Sequence, residues 1–118
     1  MQAVATRLKD VGDQLYVDIA ELPHIVAAFL TVTIDPPKIH VWTLLDERDP
    51  SNERRLTQSE LRLLESFGPI DFDFTRIHLQ GRDPRQFIPE GAYPVKCTDP
   101  LVLQHFTDTV RSGAHARS

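Results

Sequence analysis

Two carboxylates placed two residues apart are the first candidates for chemistry in this chain of 118 residues. Asp71 and Asp73 alternate with apolar side chains in the segment 69–74, which reads Pro-Ile-Asp-Phe-Asp-Phe. Residues two apart on a strand point to the same side of a sheet. Such a pair could hold a divalent cation for phosphoryl transfer.

The carboxylate pair resembles that of minimal nucleotidyltransferases, which carry it on a hairpin-containing sheet with a similar strand–helix–strand order. This sequence lacks the glycine-serine turn with which such enzymes seat the triphosphate. Further carboxylates, Asp46 and Glu47, end the preceding strand, and parallel strands would place them at the far end of the sheet from Asp71. We therefore expect no catalytic residue, no metal and no cofactor. An enzyme that uses Asp71 and Asp73 with a divalent cation is the alternative.

Histidine and cysteine spacing indicates structural roles. No two of the five histidines lie three or four residues apart, which excludes a helical metal pair. His40 and His78 fall on strands that could be neighbours, where a site with Asp73 or Asp46 is conceivable, but hydrogen-bonded histidines are commoner. Cys97 is the only cysteine, so an intrachain disulfide and a cysteine-rich zinc site are excluded.

Three other side chains are candidates for ligand binding. Arg82 and Arg85 stand three apart after the third predicted strand and could clamp a carboxylate or phosphate. Asp83 lies between them, so local ion pairs are the simpler interpretation. Trp42 lies on the second face of a predicted hairpin, where it could line a small-ligand cleft or, if uncovered, form an interface.

Charge and hydropathy narrow the class of protein. Thirteen basic residues against seventeen acidic ones give a net charge of −4, which disfavours nucleic-acid binding. The longest apolar run, 25–30, is too short to span a bilayer, and the amino-terminal segment lacks the apolar core of a signal peptide. We expect a cytoplasmic protein with one domain over residues 1–110 and a flexible tail over 111–118.

Apolar periodicity predicts three helices. The first is indicated by apolar residues at helical spacing from Val4 to Leu22. A strand over 15–19 is the rival interpretation. Gly12 would cost about 1 kcal/mol relative to alanine in the interior of this helix. The second covers 49–67, beginning at Asp49-Pro50 or at a capping box of Thr57 and Glu60, and ending at Gly68-Pro69. Its predicted core residues are Leu61, Leu64 and Phe67, with Leu63 beside them. A short third helix begins at Asp99-Pro100, with Val102, Leu103, Phe106 and Val110 on its apolar face.

Three strands are predicted between these helices. Residues 25–34 and 39–45 form an antiparallel hairpin around a proline turn. Residues 70–79 form the third strand, with a bulge near Thr75 or with both faces partly covered, and 81–96 is irregular. Because strand–helix–strand units normally cross over right-handed with parallel strands, we expect an α+β two-layer sandwich with a small mixed sheet, in the order α-β-β-α-β-loop-α.

A weak family resemblance rests on Phe72-Asp73-Phe74, followed by Ile77 and by Gly81-Arg82. Residues 41–90 resemble short uncharacterised bacterial proteins that carry a strand–helix–strand unit followed by Gly-Arg. The resemblance implies a bacterial, stand-alone, cytoplasmic domain, and it implies no activity.

Without catalytic motifs, the sequence favours a protein-interaction module that acts as a homodimer or with a protein partner. The first strand, 25–34, carries an apolar row and lacks the internal prolines and charges that protect sheet edges. We expect it to be an edge that pairs with its counterpart in a second copy.

Overall fold

The computed structural model describes the backbone of residues 2–106 and the side chains of residues 7–106. Its elements are α1 (Gln2–Ile19), β1 (Ile25–Ile34), β2 (Pro37–Leu45), α2 (Pro50–Ser66), β3 (Phe72–His78), a 3₁₀ turn (Pro84–Phe87) and β4 (Tyr93–Cys97). Residues 100–106 are also helical. None of the helices within these ranges is long and apolar enough to cross a membrane. The tail 111–118, together with Val110 of the third predicted helix, lies outside the described residues.

The strands form one mixed sheet in the order β3-β2-β1-β4. β1 pairs antiparallel with β2 and with β4, whereas β2 pairs parallel with β3. The α+β fold, the hairpin and the parallel crossover are therefore confirmed. The prediction that β1 is an edge is wrong for residues 27–30, because β4 returns along their outer side. In the described sheet one open edge is β3, and the other consists of β4 together with residues 31–34 of β1, which lie beyond the pairing with β4.

The fourth strand, β4, occupies part of the segment that the sequence predicts to be irregular. It is five residues long and contains Pro94, so its pattern is too short and too interrupted to predict a strand. A tertiary partner creates it: Leu30 faces Tyr93, and Ala27 faces Cys97 in the antiparallel register. The consequence for the fold is that β1 is a buried central strand over residues 25–30, whereas residues 31–34 extend beyond β4 and are half-buried or exposed.

The first helix packs on the sheet mainly over β4, β2 and β1. The helical interpretation of 3–22 is confirmed, but α1 ends at Ile19 rather than Leu22. At this helix end Lys96 Nζ donates hydrogen bonds of 3.0–3.1 Å to the carbonyls of Ile19, Ala20 and Leu22. This ammonium satisfies carbonyls that a helix end leaves without partners.

The second helix begins once, at Pro50, with Asp49 as its N-cap accepting from the backbone N–H of Ser51. It runs without a break, so no capping box forms at Thr57, whose hydroxyl instead donates to the Glu53 carbonyl. At its other end Phe67 is the C-cap.

The core face of α2 differs from the predicted one. Leu61 and Leu64 are 52% and 43% exposed, so the prediction that they are core residues is wrong, while Phe67 is buried as predicted. The buried stripe consists of Asn52, Leu56, Ser59 and Leu63. Two polar residues can lie inside because Asn52 donates to the Pro23 carbonyl and Ser59 to the Leu56 carbonyl. Because polar residues occupy part of the inner face, the hydrophobic pattern of the sequence indicates a different face of α2 from the one that is buried.

The two faces of the sheet are covered differently. α1 and α2 share one core with alternate residues of β1 and β2, among them Leu30, Ile39 and Val41. A second cluster on the opposite face joins Phe29 and Leu44 to the helix 100–106. Asp99 caps that helix by accepting from the N–H of Leu101. Val102 and Phe106 are buried as predicted, but Leu103 is 55% exposed.

The third strand keeps a continuous register with β2, from Ile39 opposite Phe72 to Leu45 opposite His78. The bulge considered near Thr75 is therefore absent, and both faces of β3 are partly covered instead. Phe72 and Phe74 pack towards the helices, whereas Ile77 packs into the second cluster. Asp73 alternates with the two phenylalanines and points away from the helices.

Candidate functional site on the open face of the sheet

The helix 100–106 covers only part of the second face. Phe106 meets Phe29 edge to face, and Trp42 stacks on Phe29 with ring centroids 6.0 Å apart. The indole of Trp42 is half-buried, and its Nε1 donates a 2.9 Å hydrogen bond to Thr31 Oγ1. From Trp42 towards the hairpin turn, the second face carries mainly polar side chains. We call this area the open face; it comprises Thr31, Thr33, Lys38, His40, Trp42, Asp73 and Thr75.

Strand register brings three of these side chains into a chain of contacts. Thr33 and His40 lie on the two strands of the hairpin, and His40 faces Asp73 across the parallel pair. His40 Nδ1 is 3.2 Å from Asp73 Oδ2, and His40 Nε2 is 3.3 Å from Thr33 Oγ1. The imidazole is mostly buried, with 21% of its side chain exposed. The carboxylate therefore orients a histidine whose other nitrogen meets a hydroxyl.

The hydroxyl of Thr33 has a second neighbour in the hairpin turn. It lies 3.3 Å from the Pro36 carbonyl, to which it can donate. With Asp73 fixing the proton on Nδ1, Nε2 keeps a lone pair and can accept the same hydroxyl proton. The arrangement is hydroxyl, imidazole and carboxylate in series, which is the order required for an activated oxygen nucleophile.

Lys38 lies on the same face of β2 as His40 and Trp42. It faces Thr33 directly in the antiparallel register, and direct cross-strand partners share a face of the sheet. Among the ion pairs of residues 7–106, none involves its ammonium. The register thus places Lys38 on the same face of the sheet as Thr33 and His40.

Asp71 and Asp73, the two carboxylates that the sequence suggests as a pair, make different contacts. Asp71 is exposed and accepts a backbone hydrogen bond from Ile39 N through its carbonyl, while Asp73 contacts His40. Asp46 lies at the opposite end of β2, where it pairs with His24 at 3.3 Å. In residues 7–106, no three His, Cys, Asp or Glu side chains are grouped to hold a metal ion.

The two loop arginines hold the loop together. Arg82 donates to the carbonyls of Leu79 and His78 and lies over the Phe87 ring. Arg85 donates to Asp83 through both Nε and Nη2. These hydrogen bonds from Arg85 lower the pKa of the Asp83 carboxyl to about 2. The Arg85 guanidinium is thus engaged by an ion pair and the Arg82 guanidinium by backbone carbonyls and an aromatic ring, all within the chain.

Other titratable groups serve the contact between α2 and β3 or the end of β4. His78 Nε2 is 3.2 Å from Glu53, and Arg76 donates to Glu60 at 3.1 Å. Burial raises the pKa of Glu60 although Arg76 opposes that shift. Burial also raises the pKa of the Cys97 thiol, which suits a structural thiol.

The sequence identifies His40, Trp42 and Asp73 as candidates but omits Thr33 and Lys38. Thr33 meets His40 only through the exact residue pairing of the hairpin, which the sequence pattern alone does not predict. No family model, no curated protein and no solved structure matches the chain.

Proposed function

We propose that this protein is a cytoplasmic interaction module that associates with a second copy of itself through the open edge of β3. The observation that carries the proposal is that β3, seven residues long and free of proline, ends the described sheet. Its internal charges, Asp73 and Arg76, are paired within the chain with His40 and Glu60. Open edges of this kind present unpaired N–H and C=O groups to another strand. The predicted homodimer is retained, and its contact moves from β1 to β3.

The opposite edge is a poorer candidate. β4 has only five residues, and Pro94 removes one backbone donor from it. Prolines and short length are common protections of an edge strand. β3 has neither protection.

The backbone ladder fixes which groups of β3 point outward. Ile39 N donates to the Asp71 carbonyl, and Leu79 N donates to the Leu45 carbonyl. In a parallel ladder the odd-numbered residues of β3 thus bond to β2. The even-numbered residues, Phe74 and Arg76 among them, direct their N–H and C=O groups to the open edge.

Antiparallel pairing of two β3 strands about Thr75 engages all seven residues. Phe74 would face Arg76 of the partner subunit, and Asp73 would face Ile77 of the partner subunit. A guanidinium beside an aromatic ring is favourable, and no residue meets a like charge. Pairing of this symmetric kind extends the sheet across a two-fold axis.

The position of α2 favours a second copy over an isolated peptide strand. α2 packs on β3 through Arg76 and Glu60 and shares its core with Ile39 of β2. Since neighbouring strands lie about 4.8 Å apart, the two α2 axes would run about 10 Å apart across the axis. That separation is the normal distance for packed helices.

Exposed leucines lie where the second α2 would pack. Leu64 continues the helical stripe of Glu53, Thr57 and Glu60, whose side chains contact β3 residues. It is 43% exposed, and Leu61 is 52% exposed. Two copies would bury these side chains against each other, which accounts for leucines on an outer helix face.

The test is the molar mass in solution, measured by light scattering or sedimentation. The wild-type protein is expected to be dimeric. Thr75→Lys, which sets two ammonium groups opposite each other, and Leu64→Asp, which sets two carboxylates between the helices, should each give folded monomer. Val17→Lys and Leu101→Asp add the same charges at exposed positions away from β3 and should leave the dimer intact. A wild-type monomer at its highest soluble concentration, or a dimer that survives both edge variants, contradicts the proposal.

A further inference from the structure

We infer that the open face is an acyl-transfer site, in which Thr33 is the nucleophile for small aryl esters. The inference rests on the contacts Thr33–His40–Asp73 and on Lys38 as the cross-strand partner of Thr33, independently of self-association. A nucleophile within reach of a base, itself oriented by a third group, is the signature of covalent catalysis. Thr33 Oγ1 is 3.3 Å from His40 Nε2, and His40 Nδ1 is 3.2 Å from Asp73 Oδ2. Both contacts can shorten when substrate binds.

The reaction balances with water as the only second reactant. Thr33 Oγ1 attacks the ester carbonyl carbon, and His40 Nε2 takes the hydroxyl proton. The bond to the leaving alcohol then breaks, and that oxygen takes the proton from Nε2. Water next attacks the acyl-threonine ester, gives one proton to Nε2, and Thr33 Oγ1 recovers it as the carboxylic acid leaves.

Two further groups define the substrate. Lys38 is the direct cross-strand partner of Thr33, and from the same face its ammonium can reach and stabilise the negative oxygen of the tetrahedral intermediate. The partly exposed indole of Trp42 lies two residues from His40 on the same face, where an aromatic leaving group can contact it. Because the methyl group of a threonine crowds its hydroxyl, a small acyl group such as acetyl is expected.

Asp73 is a positioning residue rather than a catalytic one. Its carboxylate oxygen lies against Nδ1 and keeps the proton there, so that Nε2 is free to accept. The ring ¹⁵N signals of His40 report this directly. They should show the proton on Nδ1 in the wild-type protein and a mixture of tautomers in Asp73→Asn.

The experiment uses 4-nitrophenyl acetate with the full chain. The wild-type protein should release nitrophenolate and carry an acetyl group on Thr33, identified by peptide mass spectrometry after acid quenching. Thr33→Val should abolish the label. His40→Gln should lower the rate by about 10²-fold or more, and Lys38→Met should lower the rate of acylation.

Matched controls separate this site from general surface reactivity. Thr57→Val removes a hydroxyl that lies on α2, outside the open face, and donates to the Glu53 carbonyl. His78→Gln removes an imidazole that pairs with Glu53 on the helix side of the sheet. Both should keep the wild-type rate and the label on Thr33. Hydrolysis that persists in folded Thr33→Val, or an acetyl group found only on lysine, overturns the inference.

Discussion

Gly12 in α1 lies directly against the ring of Tyr93 in β4. A Cβ built on Gly12 would stand 2.9 Å from Tyr93 Cε1, closer than carbon atoms tolerate without movement. The glycine that weakens the helix by propensity therefore allows α1 to approach the sheet. Close packing between α1 and β4 therefore depends on glycine, which has no side chain, at position 12.

Gly12→Ala should fail to stabilise the protein. Alanine gains about 1 kcal/mol of helix propensity over glycine, but overpacking costs about 1–3 kcal/mol. We expect the free energy of unfolding, measured in urea, to stay level or fall by up to about 2 kcal/mol. In a Tyr93→Ala background the same substitution should become stabilising by about 1 kcal/mol. If Gly12→Ala alone is stabilising by that amount, the close contact is absent.

Adjacent leucines of α2 should respond oppositely to truncation. Leu63 is fully buried, so Leu63→Ala should lower the free energy of unfolding by about 2–5 kcal/mol. Leu64 is 43% exposed, and Leu64→Ala should cost less than about 1 kcal/mol in the monomer. Measurement at several protein concentrations separates any contribution from self-association. Equal losses from both variants at low concentration would mean that the helix faces have been assigned wrongly.

The ion pair of Asp83 and Arg85 predicts an acid-dependent loss of stability. Arg85 holds the pKa of Asp83 at about 2, below its ordinary 3.8. A lowered folded-state pKa stabilises the protein above the ordinary value, and that contribution disappears as the pH falls through about 2. The effect is small because both groups are exposed. Carboxyl ¹³C titration should place the pKa near 2 in the wild-type protein and higher, towards 3.8, in Arg85→Gln, where the backbone N–H of residue 85 still donates to Asp83. An identical value in both proteins excludes the pair as its cause.

Local pattern and crossover handedness were enough to predict α1, the hairpin, α2 and the parallel pairing of β3. They failed where tertiary contacts decide the structure. Pro94 conceals β4, which forms only because β1 offers it a partner, and the error about the β1 edge follows from that omission. Asn52 and Ser59 fit the inner face of α2 through hydrogen bonds that no hydrophobic pattern records.

The candidate site was predictable only in part. Alternation along the strands brings His40 and Asp73 to one face, and a parallel crossover places them on neighbouring strands. The contact with Thr33 depends on the exact residue pairing of the hairpin. The length of the turn at 35–36 sets that pairing. A register shifted by one residue would move Thr33 to the opposite face of the sheet.

Cysteine cross-linking at Thr75 tests the central claim, self-association through β3, most directly. In the proposed pairing Thr75 faces its own counterpart in a non-hydrogen-bonded pair, where Cα atoms lie about 4.5 Å apart, within the range of a disulfide. In a Cys97→Ser background, Thr75→Cys should oxidise almost completely to a covalent dimer. Val17→Cys, at an exposed position on α1, serves as the control and should form little covalent dimer, although it still associates non-covalently. Equal and low yields of covalent dimer from the two variants would contradict the account.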